Sequence, residues 1–429
     1  MKSRPFRWIA RALLAALALL LVALVLAGWA MRASLPRIDG ELALGGLDAP
    51  VRIERDALGT VTVSAASEAD AMRALGFVHA QERFFEMDLM RRTSAGELAG
   101  LFGPRAVELD RQRRVHRMRA RVLRDLDLIA GDRRDVLQAY TDGVNAGLAS
   151  LKARPWPYLL LRTQPAPWRP EDTPLVGHAM YFDLQDASNA RELALWRIKP
   201  HLPDALFALL VRSGSRWDAP IDGAARGDAT LPTAAELDLR TLPQKAAPRT
   251  RPVPVPAEVG SNNFAVSGAL TRDGRAIVAD DMHLALRAPN IWFRARLVYP
   301  DPRAPHGRVD VAGFTLPGLP VVVVGSNTHV AWGFTNSYGD WLDWQRVPAC
   351  DDACAKVTER IHVAGAADVR LDVEETPWGP VLHRDADGTG WALRWVAHLP
   401  GALTLGLGDM ARATDVEDAL RVADRTGVP

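Results

Sequence analysis

Residues 258–268 read Glu-Val-Gly-Ser-Asn-Asn-Phe-Ala-Val-Ser-Gly, at the point where a proline-rich stretch gives way to strand-forming sequence. Upstream, Pro252, Pro254 and Pro256 fall within five residues, which precludes a regular helix or a central strand. Downstream, Asn263–Val266 and Ala276–Ala279 flank Thr271-Arg272-Asp273-Gly274, which reads as a hairpin turn. If the Gly260–Ser261 bond were cut, Ser261 would present a hydroxyl and a free α-amine at the end of a strand. An α-amine titrates at ~7.7–8.0 against ~10.4 for lysine, so near neutral pH it accepts a proton readily. The serine then has its own general base and needs no histidine. Glycine before it gives the backbone the freedom required for the hydroxyl to reach its own preceding carbonyl. Taken alone, Gly-Ser-Asn-Asn is equally a turn leading into a strand.

Outward from this junction the chain divides by composition. Residues 214–260 are dominated by Ala, Thr, Pro and charged side chains and read as a linker or an excised segment. Before it, Val51–Glu54 and Thr60–Val63 alternate about an Asp56–Gly59 turn and predict a hairpin. A helix is expected from Ser67, with Ala71, Leu75, Val78, Phe85 and Leu89 at helical spacing, up to Gly96. The Arg-rich run 105–130 predicts a surface helix, and another helix is expected from about Asp132, with Val136, Tyr140, Val144 and Leu148 on one face. After the junction, strands are expected at 291–299, 308–314, 321–324, 329–334, 360–363 and 391–396, and a helix at 415–423. Helices before and sheets after suggest a layered α+β or α/β architecture.

The 429 residues carry 52 basic and 51 acidic side chains, a net of +1. Five of the basic ones (Lys2, Arg4, Arg7, Arg11, Arg32) fall in the first 36 residues with no acid, so the body holds 47 against 51, a net of −4. A mildly acidic body argues against a nucleic-acid partner held by bulk charge. Behind the basic start, Ala12–Met31 is twenty uncharged residues, long enough to span a bilayer core of ~30 Å. Residues 1–34 therefore read as a signal peptide or an uncleaved signal anchor, with an exported, periplasmic body that 12–31 would tie to the inner membrane. Cys350 and Cys354 are too few for a disulfide framework or a four-thiolate zinc site; they either close one small loop or are incidental thiols. No P-loop, G-x-S-x-G elbow, H-E-x-x-H helix or G-x-G-x-x-G turn is present.

Several ordered blocks carry a resemblance: L-P-R-I-D-G (35–40), P-V-R-I-E-R-D-A-L-G (50–59), the long run 70–103 with its M-R-R-T-S-A-G-E-L-A-G, and P-A-P-W-R-P-E-D (165–172). They continue in G-S-N-N-F-A-V-S-G (260–268), D-D-M-H-L (280–284) and A-W-G-F-T-N (331–336). In these the chain resembles the penicillin acylase family of N-terminal-nucleophile hydrolases. The resemblance implies a four-layer αββα sandwich. It also implies an A-chain region at 35–214, a spacer at 215–260 and the first part of a B chain at 261–429, the C-terminal part of the fold being missing. It implies self-cleavage at Gly260–Ser261, association of the two resulting chains, and hydrolysis of N-acyl amides such as acyl-homoserine lactones or β-lactam side chains through an acyl-Ser261 intermediate. The alternative is a truncated, non-catalytic fragment of such an enzyme.

Carried over position by position, the resemblance makes Ser261 the nucleophile and His283, twenty-two residues on, its hydrogen-bonding neighbour. Asn336, after Trp-Gly-x-Thr, would lend a backbone N–H to the oxyanion hole; a second donor would lie beyond residue 429. Met180, Phe182, Leu284 and Phe334 would line the acyl pocket. Some members hold a structural calcium, for which Glu192, Asp340, the Leu342 carbonyl and Asp343 are the expected ligands, oxygen donors suited to a hard cation. No organic cofactor is implied.

Overall fold

The computed structural model describes residues 4–220, 222–241, 260–336, 339–348 and 354–429. Cys350, and with it the proposed loop to Cys354, lies outside the described residues, as do 242–259 of the spacer. Helix α1 (Arg4–Ala33) opens the chain. Its stretch Trp8–Ala33 is long and apolar enough to cross a membrane and is exposed along nearly all its length, consistent with a signal sequence.

Strands β1 (Arg52–Arg55) and β2 (Val61–Ser64) form the expected hairpin. Helix α2 (Glu68–Ala95) follows, capped by the Ser67 hydroxyl, which accepts from the Asp70 amide, and closed by Gly96 in the left-handed region (φ +65°). Of the expected stripe, Ala71, Leu75 and Val78 are fully buried, while Phe85 and Leu89 sit at its edge. Short α3 (Ala99–Phe102) leads to α4 (Val107–Arg114) and α5 (Met118–Ala130). The basic run is thus two helices, and its arginines are not a solvated face. Arg117 pairs with Glu359 at 3.0 Å, Arg119 with Glu97 at 2.7 Å, and Arg121 with Glu375, all largely shielded from solvent. These guanidiniums join the helices to the strands that carry Glu359 and Glu375.

Helix α6 (Arg134–Ala149) packs along α2 at very short range. A Cβ at Gly143 would stand 1.9 Å from the Arg73 carbonyl oxygen, and one at Gly147 2.2 Å from that of Phe77, so only glycine permits this crossing. After α7 (Trp156–Leu160) comes α8 (Asp172–Leu184), buried on every side. Val176, Ala179 and Met180 join one apolar cluster, Leu175, Tyr181 and Phe182 another. Helices α9 (Ala190–Ile198) and α10 (Asp204–Val211) complete this half.

Beyond the spacer, β3 (Ser261–Val266) and β4 (Ile277–Met282) pair antiparallel, Ser261 opposite Met282 and Val266 opposite Ile277. Among the described residues this ribbon pairs with no further strand. Strands β5 (Phe293–Pro300), β6 (Arg308–Thr315), β7 (Val322–Ser326) and β8 (Ala331–Trp332) make a sheet in the order β1-β2-β5-β6-β7-β8. Here β2 joins β5 in parallel, Val61 opposite Ala295, so residues from both sides of the spacer share one sheet. Along β5, buried Phe293, Ala295 and Leu297 alternate with exposed Arg294 and Arg296, and α2 packs against this sheet. Strands β9 (Leu342–Val347), β10 (Ala355–Ile361), β11 (Val369–Thr376), β12 (Gly379–Arg384) and β13 (Gly390–Trp395) build a second, antiparallel sheet in the order β10-β11-β12-β13-β9. Helix α11 (Val416–Asp424) ends the elements. The protein is of the mixed α+β class.

Two expected strands differ in extent. The 329–334 strand is only the two-residue β8, because Gly333–Asn336 turn away toward β4, where the Phe334 amide donates to the Asp280 carboxylate at 3.3 Å. The 360–363 strand begins five residues earlier, at Ala355.

Candidate active site

Ser261 opens β3, and its hydroxyl donates to the carbonyl oxygen of Gly260 at 2.6 Å. That carbonyl belongs to the bond the sequence marks for cleavage. The His283 backbone N–H, just past the end of β4, donates to the same oxygen at 3.2 Å. Two donors therefore polarise this carbonyl, and the His283 N–H, which stays in place when Ser261 Oγ leaves the oxygen to attack the carbon, would stabilise negative charge developing on it. The antiparallel register produces the arrangement: pairing Ser261 with Met282 brings residue 283 directly opposite 260.

The His283 side chain lies on the same side. Its Nε2 is 3.2 Å from Asn262 Nδ2 and 3.4 Å from Asp281 Oδ1. The Asn262 amide nitrogen is a donor and the Asp281 carboxylate an acceptor, so the two contacts call for opposite states of Nε2. Nδ1 faces Gly260, where a Cβ would stand 2.9 Å from it. Asp281 Oδ1 accepts from the Asn262 backbone N–H at 2.8 Å and from its side-chain amide at 2.9 Å, and these bonds hold its carboxyl below the usual range. Asp280, its neighbour, has one oxygen on the Phe334 amide and the other buried without a partner among the described residues; burial pushes its carboxyl up.

A cavity of about 120 Å³ opens beside Ser261. Its walls are apolar, with Met180, Leu284 and Phe334 among the residues lining it and Asn336 and Thr335 as polar exceptions. Phe182 is elsewhere. It is buried against Trp395 (ring centroids 5.0 Å) and His116 (5.4 Å), with the Arg113 guanidinium 4.3 Å from its centroid. The reason is helical geometry: two positions along α8 amount to about 200° of rotation, so 180 and 182 cannot face one cavity. Sequence reasoning also missed Trp292, Leu316, Leu319, Val321 and Val323 in the wall. Val321 and Val323 have the period-two spacing of one strand face, and that signal was readable.

The four expected calcium ligands do not form a donor set. Helix α9, with Glu192, touches β9, with Leu342 and Asp343. Glu192 nonetheless accepts from the Asn189 side chain at 2.7 Å, and among the described residues no three His, Cys, Asp or Glu side chains converge on one point.

The Penicillin amidase family model matches residues 50–429. The penicillin acylase 2 proenzyme of Pseudomonas sp. strain SE83 is 33% identical over 395 residues, covering 86% of this chain and 48% of that protein. The acyl-homoserine lactone acylase QuiP of Pseudomonas aeruginosa is 28% identical over 418 residues, covering 90% and 48%. A thermostable penicillin G acylase from Alcaligenes faecalis, solved in a tetragonal crystal form, aligns at a TM-score of 0.35 and 27% identity over 41% of this chain and 98% of the solved one. The chain spans about half the length of the curated relatives it matches. With the family model running from the first hairpin through β3 to residue 429, the chain belongs to the penicillin amidase family.

Proposed function

We propose that the protein is an exported amidohydrolase precursor that cuts itself between Gly260 and Ser261 and then hydrolyses N-acyl amides through Ser261. The observation that carries this reading is the Ser261 hydroxyl resting on the Gly260 carbonyl at the edge of an apolar cavity. In self-cleavage, Ser261 Oγ attacks the Gly260 carbonyl carbon, its proton passes to the departing Ser261 nitrogen, and an ester replaces the amide. Water then hydrolyses the ester, leaving a Gly260 carboxylate and a free Ser261 amine. The His283 N–H supports charge on the Gly260 oxygen throughout.

In turnover, the acyl group occupies the cavity and the Ser261 amine takes the hydroxyl proton as Oγ attacks the substrate carbonyl. The Asn336 backbone N–H serves the oxyanion, and the leaving amine departs with the proton. Water next attacks the acyl-Ser261 ester, yielding a free carboxylic acid. The walls favour an aromatic or fatty acyl group; acyl-homoserine lactones and β-lactam side-chain amides both qualify. The N-terminal apolar helix supports export, by cleavable signal or by anchor.

Intact-mass analysis of the purified chain tests the proposal. Wild type is expected as two fragments, the second beginning Ser-Asn-Asn-Phe, and Ser261→Ala as one chain. A single uncut chain in both would overturn it. A second reading, a chain that folds but does not turn over alone, is favoured by the β3–β4 ribbon, whose Phe264 is 59% exposed. Cleavage without acylase activity would select it.

A further inference from the structure

A second cavity, of about 510 Å³, shares its wall with the first. On α8, Met180 faces the Ser261 cavity while Ala179 and Asp183 face the second; Trp292 and Ile291 divide in the same way, as do Leu316 and Pro317. No residue of β3 lines the second cavity, so it is a separate compartment from the acyl site. Part of its lining is apolar, with Phe85, Leu89, Phe102 and Trp156. Four charged side chains also line it: Arg83 and Glu86 from α2, Asp183 from α8, and Arg287 from the segment after β4.

Arg83 and Glu86 are half-buried, and Asp183 and Arg287 reach the cavity from exposed positions. Other arginines of the molecule meet carboxylates closely, as Arg91 does Asp172 at 2.5 Å and Arg117 does Glu359 at 3.0 Å. Among the described residues, none of the cavity's four charges has an ion-pair partner within 4 Å, although Arg83 donates to the Asn290 carbonyl at 2.5 Å. Desolvation by the surrounding protein pushes the Glu86 and Asp183 carboxyls up, while Arg83 and Arg287 draw Glu86 back and Arg287 and Arg113 draw Asp183 back. Two cations and two anions are thus held around an apolar cavity without neutralising one another closely. A purely anionic ligand would leave the carboxylates uncompensated, and a purely cationic one would leave the guanidiniums so. A ligand bearing both charges on an apolar body satisfies all four.

We propose that this cavity binds a free α-amino acid with an apolar side chain, its carboxylate on Arg83 and Arg287 and its ammonium on Glu86 and Asp183. The site does not depend on Ser261, so its test is separable from that of the acylase reading. L-Phenylalanine is the probe, with titration calorimetry on the full chain as the readout, and phenethylamine as the analogue lacking the carboxylate.

Saturable binding of L-phenylalanine is expected, retained in Ser261→Ala. Arg287→Gln and Asp183→Asn are each expected to weaken it about tenfold, as is removal of the ligand's carboxylate. Arg287 and Asp183 are both exposed, so the variants are expected to melt as wild type does, and melts recorded alongside establish that they are folded. Absence of saturable binding at ~10 mM ligand would overturn the proposal. Equal binding of phenethylamine, or of L-phenylalanine to both folded variants, would overturn it too.

Discussion

At Gly260 a single hydrogen atom in place of a methyl group lets the imidazole of His283 lie against the backbone, since a Cβ there would be 2.9 Å from Nδ1. Gly260→Ala must displace either the imidazole or the carbonyl that Ser261 would attack. We expect cleavage slowed at least about tenfold, or ~1.4 kcal/mol of barrier, with the fold intact; a time course of intact mass reads it, and a wild-type rate would refute the role given to the glycine. A different residue-scale prediction concerns His79 and His116, both fully buried. Tyr140 accepts from the Gly318 amide at 2.8 Å and lies 2.8 Å from His79 Nδ1, while His79 Nε2 lies 2.9 Å from Thr315 Oγ1, whose own proton goes to the Phe293 carbonyl. That chain is complete only with a neutral imidazole whose proton is on Nε2. Burial, with Arg83 nearby, lowers the His79 pKa to about 3, and burial with Arg113 and Arg121 does the same for His116. In the unfolded chain both titrate near ~6.5. Between these values the unfolded state binds more protons, so stability rises with pH across that window and is lost on acidification. The slope approaches ~1.4 kcal/mol per pH unit for each histidine. Urea midpoints are expected to fall between about pH 7 and about pH 5 with the m-value unchanged; equal midpoints would contradict this.

Helix α6 meets α2 through Gly143 and Gly147, one turn apart, each pressed on a carbonyl oxygen of α2. Because both contacts are to backbone, no rotamer change relieves them, and Gly143→Ala must separate the helices. A loss of ~1–3 kcal/mol is expected by chemical denaturation, against a gain if helix propensity alone decided the outcome. Elements of this kind were legible in the sequence. Ser67 and Gly96 bracketed α2, the 51–63 alternation gave β1 and β2, and the Asp273-Gly274 turn set the β3–β4 register that places His283 beside Ser261. The rest was hidden for physical reasons. Helix α8 is apolar all round because it lies between two cores, so it has no stripe to detect. Strand β11 reads Val-Arg-Leu-Asp-Val-Glu-Glu-Thr, and only Val373 among these is deeply buried, so its alternation marks a half-exposed sheet that polar sequence disguises. The arginines of α4 and α5 read as a solvated face because their partners, Glu359 and Glu375, lie more than 200 residues further along. The second cavity's charges likewise come from three segments that no local pattern joins.

At the scale of the whole molecule, the spacer divides the chain, but the packing does not. Strand β2, with Val61 and Val63 wholly buried, is an interior strand between β1 and β5. Glu68 at the start of α2 pairs with Arg412, which also reaches Asp301 at 2.6 Å, and His79 on α2 reaches Thr315 on β6. On the other side, the Tyr181 hydroxyl contacts the carbonyls of Ala402 and Val428, and Arg117 bonds Glu359. Residues 1–260 and 261–429 therefore share a sheet, an apolar core and buried ion pairs, and separating them would expose the shared apolar surface to water at ~25 cal/mol for each Å². Once the chain is cut in the spacer, the two pieces are expected to elute together at the size of the intact monomer and to part only under denaturant. High salt is not expected to release them, since screening acts weakly on buried pairs and not on apolar contacts. A specific protease site inserted within 242–259 makes the measurement independent of self-cleavage. Separation of the fragments on a sizing column in native buffer would show that the shared sheet does not hold the molecule together.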